Sequence, residues 1–148
     1  MEENPTFLSR LGFKHKLHAH VLFTHFPISF FTASAGFMLL HMFTNTECFE
    51  SAAFLSLVAA VALTIPTAIT GWTTWKSKFK GARTKIFDTK IFLAAFMISL
   101  GILLIILRTY FIERGEHTIW HYLFSFGFVA LFYASMMEGY YGGPLNHR

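Results

Sequence analysis

Long apolar segments alternate with short polar ones along the whole chain. No Lys, Arg, Asp or Glu lies between Lys16 and Glu47, and three further stretches are free of such residues in their interior. About 20 apolar residues are enough for a helix to cross the hydrocarbon of a bilayer. The pattern therefore predicts four spanning helices, at about residues 18–43, 51–75, 88–107 and 118–138.

Composition supports a membrane location. Of the 148 residues, 54% are hydrophobic and 19 are Phe, with a mean hydropathy of +0.49, which is too apolar for a soluble fold of this size. The single cysteine, Cys48, excludes an internal disulfide and leaves its role open. The start of the chain, with Glu2, Glu3 and Pro5, is unlike a cleavable signal peptide. We predict one all-α transmembrane domain over residues 1–148, a four-helix bundle.

The basic residues predict the orientation. Four spans place both termini on one side, and ten of the twelve Lys and Arg residues fall on that side, leaving only Arg108 and Arg114 opposite. By the positive-inside rule, both termini and the middle loop are cytoplasmic, in a multi-pass protein of a bacterial inner membrane. Because the basic residues flank apolar spans, we expect no nucleic-acid partner.

Three local features add detail. Residues 5–16 mix apolar and basic side chains, which is typical either of a helix lying in the headgroup region or of a frayed tail. Pro27 removes a backbone donor and frees the carbonyl of Phe23, so the first helix is expected to kink or begin there. Residues 142–144, Gly-Gly-Pro, predict a turn after the fourth span.

Histidines on the outer side carry the main functional prediction. His41 ends the first span and His121 begins the fourth, which runs the opposite way, so both come to similar depth. Two imidazoles from facing helices can be the axial ligands of a b-type haem, or with His117 can hold a divalent ion. His117 and His121 share one helical face and cannot bind one haem from both sides, so we favour His121. The alternative is that Ser, Thr or backbone carbonyls satisfy these rings and that His117 lies among the headgroups.

A second polar group lies on the inner side, about 24 Å from the first along a helix. His20 and His25 are turned about 140° from each other and cannot share one helical face. The other three spans have no histidine at this depth, so a second haem would need His147 or an early histidine to fold back, or a ligand from another chain. A quinone headgroup needs only a hydrogen-bonding His, an acid and aromatic walls. The residues predicted for this quinone or proton-exchange site are His25, Trp72, Asp88 and Glu138. In the alternative, these are interfacial side chains that reach toward water.

The run HVLFTHFPI from His20 to Ile28, with Gly71-Trp72 ending the second span and GYYGG at 139–143, resembles a family of small bacterial membrane proteins. This is a domain-of-unknown-function family with an H-x4-H-F-P opening, and the resemblance covers nearly the whole chain. The resemblance implies a four-helix bundle that binds a b-type haem. We expect one haem b, with a second as the alternative. Many members carry a histidine near the start of the third span, where this chain has none, so the comparison favours the outer site.

We rank three functions from the sequence. The first is a cytochrome b-like electron-transfer subunit that exchanges electrons with quinone and a redox partner protein, at most one part of a larger oxidoreductase. The second is a non-redox anchor or assembly subunit of a larger complex. The third is a metal-ion site or carrier, and its predicted residues are His41, His117, His121, Glu47, Glu113 and Glu116. We find no hydrolase motif or phosphate-binding loop in the sequence.

Overall fold

The computed structural model describes residues 16–78, 80–111 and 119–146, which form four helices and no strand. They are α1 (Lys16–Thr44), α2 (Glu47–Lys78), α3 (Lys85–Tyr110) and α4 (Ile119–Asn146). Each contains a stretch long and apolar enough to cross a membrane. The prediction of an all-α protein with four spanning helices is confirmed. The interfacial helix predicted at 5–16 lies, apart from Lys16, outside the described residues.

The helices form a closed ring in chain order. α1 packs on α2, α2 on α3, α3 on α4, and α4 returns to pack on α1. We call the end that holds the end of α1 and the start of α4 the distal end, and the opposite end the proximal end. The distal end corresponds to the predicted outer side of the membrane.

Large apolar side chains fill the interior, and two glycines let the helices approach closely. Phe31, Phe124 and Phe128 are fully buried. A Cβ added at Gly127 would lie 2.6 Å from the Leu104 side chain, so α3 and α4 meet there with no room for a methyl group. Gly101 lies in the same way against a side chain of α2, that of Val61. The middle of the bundle is therefore packed by protein.

The connection between α1 and α2 is short, and the turn predicted near the end of the chain is helical instead. Glu47 and Glu50 lie in the first turn of α2, and the α1–α2 connection is only two residues long. α4 continues through residues 142–144 to Asn146, so the predicted Gly-Gly-Pro turn is wrong. A proline this close to a helix end costs one backbone hydrogen bond without interrupting a long helix.

Pro27 lies inside α1, so the helix runs through it and does not begin there. The hydroxyl of Thr67 on α2 donates to the carbonyl oxygen of Phe23, at 3.2 Å, and shares its hydrogen with Leu63 O at 2.8 Å. Phe23 O is the acceptor that Pro27 leaves without its helical partner. The proline thus creates a polar contact between α1 and α2.

Candidate functional site

The distal end brings two histidines from different helices together. His41 lies near the end of α1 and His121 in the first turn of α4. Their ring centroids are 5.3 Å apart, with the planes inclined by 62° in an edge-to-face arrangement. His41 is only 7% exposed. The sequence predicted that these two histidines lie at similar depth, and in the structure their rings are in contact; their role as ligands stays a prediction.

A tight turn after α1 holds the His41 ring. Asn45 has a positive φ of 51°, the left-handed conformation common at helix ends, and its N–H donates to His41 O at 2.7 Å. This turn brings the carbonyl oxygen of Thr46 to 3.0 Å from Nδ1 of His41. Because a carbonyl only accepts, Nδ1 carries the hydrogen in this contact, which leaves Nε2 of the neutral ring with a lone pair. A metal-binding histidine is commonly oriented in this way.

A sulfur atom lies one helical turn deeper. Met38 precedes His41 by three residues on α1, and Ser125 follows His121 by four on α4. The Ser125 hydroxyl lies 2.9 Å from His121 O and 3.6 Å from Sδ of Met38. Met38 is 1% exposed. The α1–α4 interface thus holds a buried thioether one helical turn from His41, in contact with the residue one turn from His121.

The other two helices contribute an ion pair at the same end. Glu50, in the first turn of α2, pairs with Arg108, near the end of α3. Both side chains are largely buried. Each of the four helices therefore contributes at least one ionisable residue to the distal end.

The structure does not bring together the residues predicted for a quinone or proton-exchange site. His25, Trp72 and Asp88 are exposed on the outside of the bundle. Glu138 is engaged by Lys90, whose Nζ lies 2.8 Å from Oε1 of the carboxylate and 3.4 Å from the Glu138 carbonyl oxygen. The acid that was expected to exchange protons thus holds α3 against α4.

Some predicted residues fall outside what the structure describes. His117, Glu113 and Glu116 lie in the undescribed segment before α4, and His147 lies beyond its end. His20 lies on α1, but its side chain is among those not described.

The donor set suits a metal ion of low coordination number. Among the described residues, no three His, Cys, Asp or Glu side chains lie close enough together to hold a metal ion. Two imidazoles and a thioether from Met38 remain. Thioether and imidazole are ligands that copper accepts, with sulfur favouring Cu(I).

A haem does not fit between the two rings as the helices pack here. Two imidazoles bound to one metal through bonds of about 2 Å, one on each face of a macrocycle, need ring centroids roughly 6 Å apart with a flat gap between them. The rings of His41 and His121 instead touch edge to face. Below them, Met38 and Ser125 join the same two helices. Haem binding by this pair therefore requires α1 and α4 to move apart.

Sequence reasoning missed the roles of Glu50, Arg108 and Thr46, and it considered the sulfur of Met38 only as one of too few sulfur ligands for a soft-metal carrier. The signal for the ion pair was available, since an acid and a base ended neighbouring spans on the same predicted side. The role of Thr46 depends on the left-handed turn at Asn45, for which asparagine is only a weak indicator. The position of Met38 was predictable, because it precedes His41 by three residues and so lies on the same helical face, one turn away.

Comparison with known proteins supports the membrane assignment. A family described as "Predicted membrane protein (DUF2231)" matches residues 14–148, which include all four helices. No curated protein and no solved structure matches the chain. The family description speaks of the membrane and of no cofactor. By the extent of the match, the chain belongs to the DUF2231 family of predicted membrane proteins.

Proposed function

We propose that this protein is a membrane-embedded electron-transfer subunit whose redox centre is a copper ion held between α1 and α4 by His41 and His121. The contact between these two rings is the observation that carries the proposal. The hydrogen bond from His41 Nδ1 to Thr46 O supports it, because it directs Nε2 toward a ligand.

We prefer copper to zinc because the described residues offer few ligands at this site. Structural zinc sites are almost always tetrahedral with four ligands. Cu(I) accepts fewer ligands and favours sulfur, so His41, His121 and a modest rotation of the flexible Met38 side chain would complete a three-ligand site. Ser125 would then lose its contact with the sulfur and keep its hydrogen bond to His121 O.

Electron transfer is preferred to metal transport for a structural reason. The two imidazoles come from long helices that pack directly on each other. Ligands on rigid elements hold one geometry in both oxidation states, whereas a transported ion needs ligands that release it. The partner would be a redox protein or a quinone that approaches the distal end.

Purification without chelators, followed by elemental analysis and visible spectroscopy, tests the proposal. We expect about one copper per chain, and its loss in His41→Ala and in His121→Ala. Trp120→Phe, a change of an exposed ring beside His121, is the matched control and should retain the metal. Sharp visible bands of reduced haem, lost in the same two variants, would instead show haem b and a wider separation of α1 and α4. A colourless protein without metal would contradict both the copper site and a haem site.

A purely structural role is the second candidate, and one observation favours it. Polar contacts join every pair of neighbouring helices, and the His41–His121 contact occupies the α1–α4 position in this set. In that case the protein is a membrane anchor or assembly subunit. Both histidine variants would then lower stability, and the wild type would bind no metal under any purification condition.

A further inference from the structure

The end of α2, the connection that follows it and the start of α3 form a strongly basic, exposed segment at the proximal end. It follows a stretch of Trp and Thr residues at the end of an apolar helix, where aromatic side chains commonly mark the membrane interface. Its exposed cationic residues are Lys76, Lys80, Arg83 and Lys85. We call these four residues the basic patch.

Aromatic contacts give this segment a defined shape. The indole N–H of Trp75 donates to Ala82 O at 2.9 Å, and the ring packs against Trp72 and Phe87. The Trp75 carbonyl oxygen accepts from the N–H of Gly81. The chain therefore folds back on the end of α2.

Positive φ angles close the turn. Lys80 and Gly81 have φ values of 50° and 70°. Lys76 Nζ lies 5.3 Å from the centre of the Trp72 ring, which holds this cation beside the aromatic belt. The four cations thus all fall between residues 76 and 85, next to the aromatic side chains that commonly mark the membrane interface.

Few acids offset this charge. Lys90, the next cation along α3, is engaged by Glu138 and does not belong to the patch. Asp88, in the first turn of α3, is the acid close by in sequence among the described residues. Thr84, at the start of α3, makes no side-chain capping bond, so the positive end of the α3 dipole adds to the charge of the patch.

We propose that the basic patch binds the phosphate groups of anionic phospholipids in the leaflet at the proximal end. Clusters of four or more Lys and Arg residues next to a spanning helix attract anionic headgroups. The patch has this charge, and Trp72 and Trp75 place it at headgroup depth. Anionic lipid would thereby fix the α2–α3 connection against the membrane surface.

Lipid binding to the purified protein tests this inference. Native mass spectrometry in a neutral detergent would compare phosphatidylglycerol with phosphatidylcholine of the same chain length. We expect the wild type to prefer phosphatidylglycerol, with affinity falling roughly fivefold for each cation removed. A variant with all four cations changed to Gln should lose the preference. Lys76→Arg, Lys80→Arg and Lys85→Arg combined keep the charge and should retain it.

Two results would overturn the inference. One is an equal affinity of the wild type for both lipids. The other is equally tight competition by inorganic phosphate or an acidic protein, which would make the patch a site for soluble anions or a protein partner. Should the four-residue variant fail to fold, Lys80→Gln with Arg83→Gln provides the same comparison with a smaller change.

Discussion

Glu50 and Arg108 form an ion pair between α2 and α3, with side chains only 6% and 12% exposed. A membrane interior offers such charges no water, so each depends on the other for solvation. The pair lies at the same end of the bundle as the contact of His41 with His121. The distal end is therefore closed on two opposite sides by polar contacts.

Breaking this ion pair on one side should destabilise the fold. We expect Arg108→Gln to lower the free energy of unfolding by about 3 kcal/mol, because the remaining buried carboxylate of Glu50 is left unpaired. The double variant Glu50→Gln with Arg108→Gln should lose less than the sum of the single variants. Unfolding in mixed micelles would measure these differences. Additive losses would show that the two residues do not interact.

Close helix packing at Gly127 predicts a steric effect. Gly127→Ala should cost about 1–3 kcal/mol, since Leu104 is buried in the facing core and cannot move freely. Gly36→Ala is the control, because no atom lies within 4 Å of a Cβ added there. That change should be neutral or stabilise the helix by at most about 1 kcal/mol. Unfolding in mixed micelles measures both variants. Equal changes in the free energy of unfolding at positions 36 and 127 would contradict the close packing of Gly127 against Leu104.

The contact of Thr67 with Phe23 O should depend on Pro27. Thr67→Val removes the donor and should cost about 0.5–1 kcal/mol. In a Pro27→Ala background, residue 27 regains an N–H that can bond to Phe23 O, so Thr67→Val should cost less. A double-mutant cycle measures the coupling between the two positions. A coupling of zero would mean that the freed carbonyl does not need Thr67.

Cys48 offers a test of orientation, because it is the single cysteine of the chain and is exposed at the distal end. If the termini are cytoplasmic, an impermeant maleimide should label Cys48 on intact spheroplasts. A Cys48→Ser variant that carries Lys80→Cys at the proximal end should be labelled only after the membrane is permeabilised. The reverse pattern would invert the predicted topology.

Much of the fold follows from charge spacing and apolar length, which set the number of helices and the depth of each residue. Depth was enough to bring His41 and His121 together, since each lies near an end of its span. The rotation of each helix about its own axis depends on packing, and the spacing of charges and apolar residues does not predict it. For this reason His25 and Asp88, predicted to meet at a site, are exposed on the outside instead.

Charged residues near the ends of the spans were the main source of error. Glu50 and Glu138 were read as residues at or beyond the ends of the spans, because an unpaired charge is costly in a membrane. Each has a partner of opposite charge on a neighbouring helix, Arg108 and Lys90 respectively, so the helices extend past them. An ion pair between two helices lowers the free-energy cost of placing each charge in the membrane. Considering one helix at a time overestimates that cost.

X-ray absorption spectroscopy of the purified, metal-loaded protein tests the central claim most directly, because it reports the ligands of the metal. The account predicts copper with two imidazole nitrogens at about 2 Å and a sulfur that disappears in Met38→Leu. It predicts that His41→Ala and His121→Ala, loaded in the same way, hold no copper in this environment. A spectrum without imidazole ligands, or one that both histidine variants leave unchanged, would contradict it.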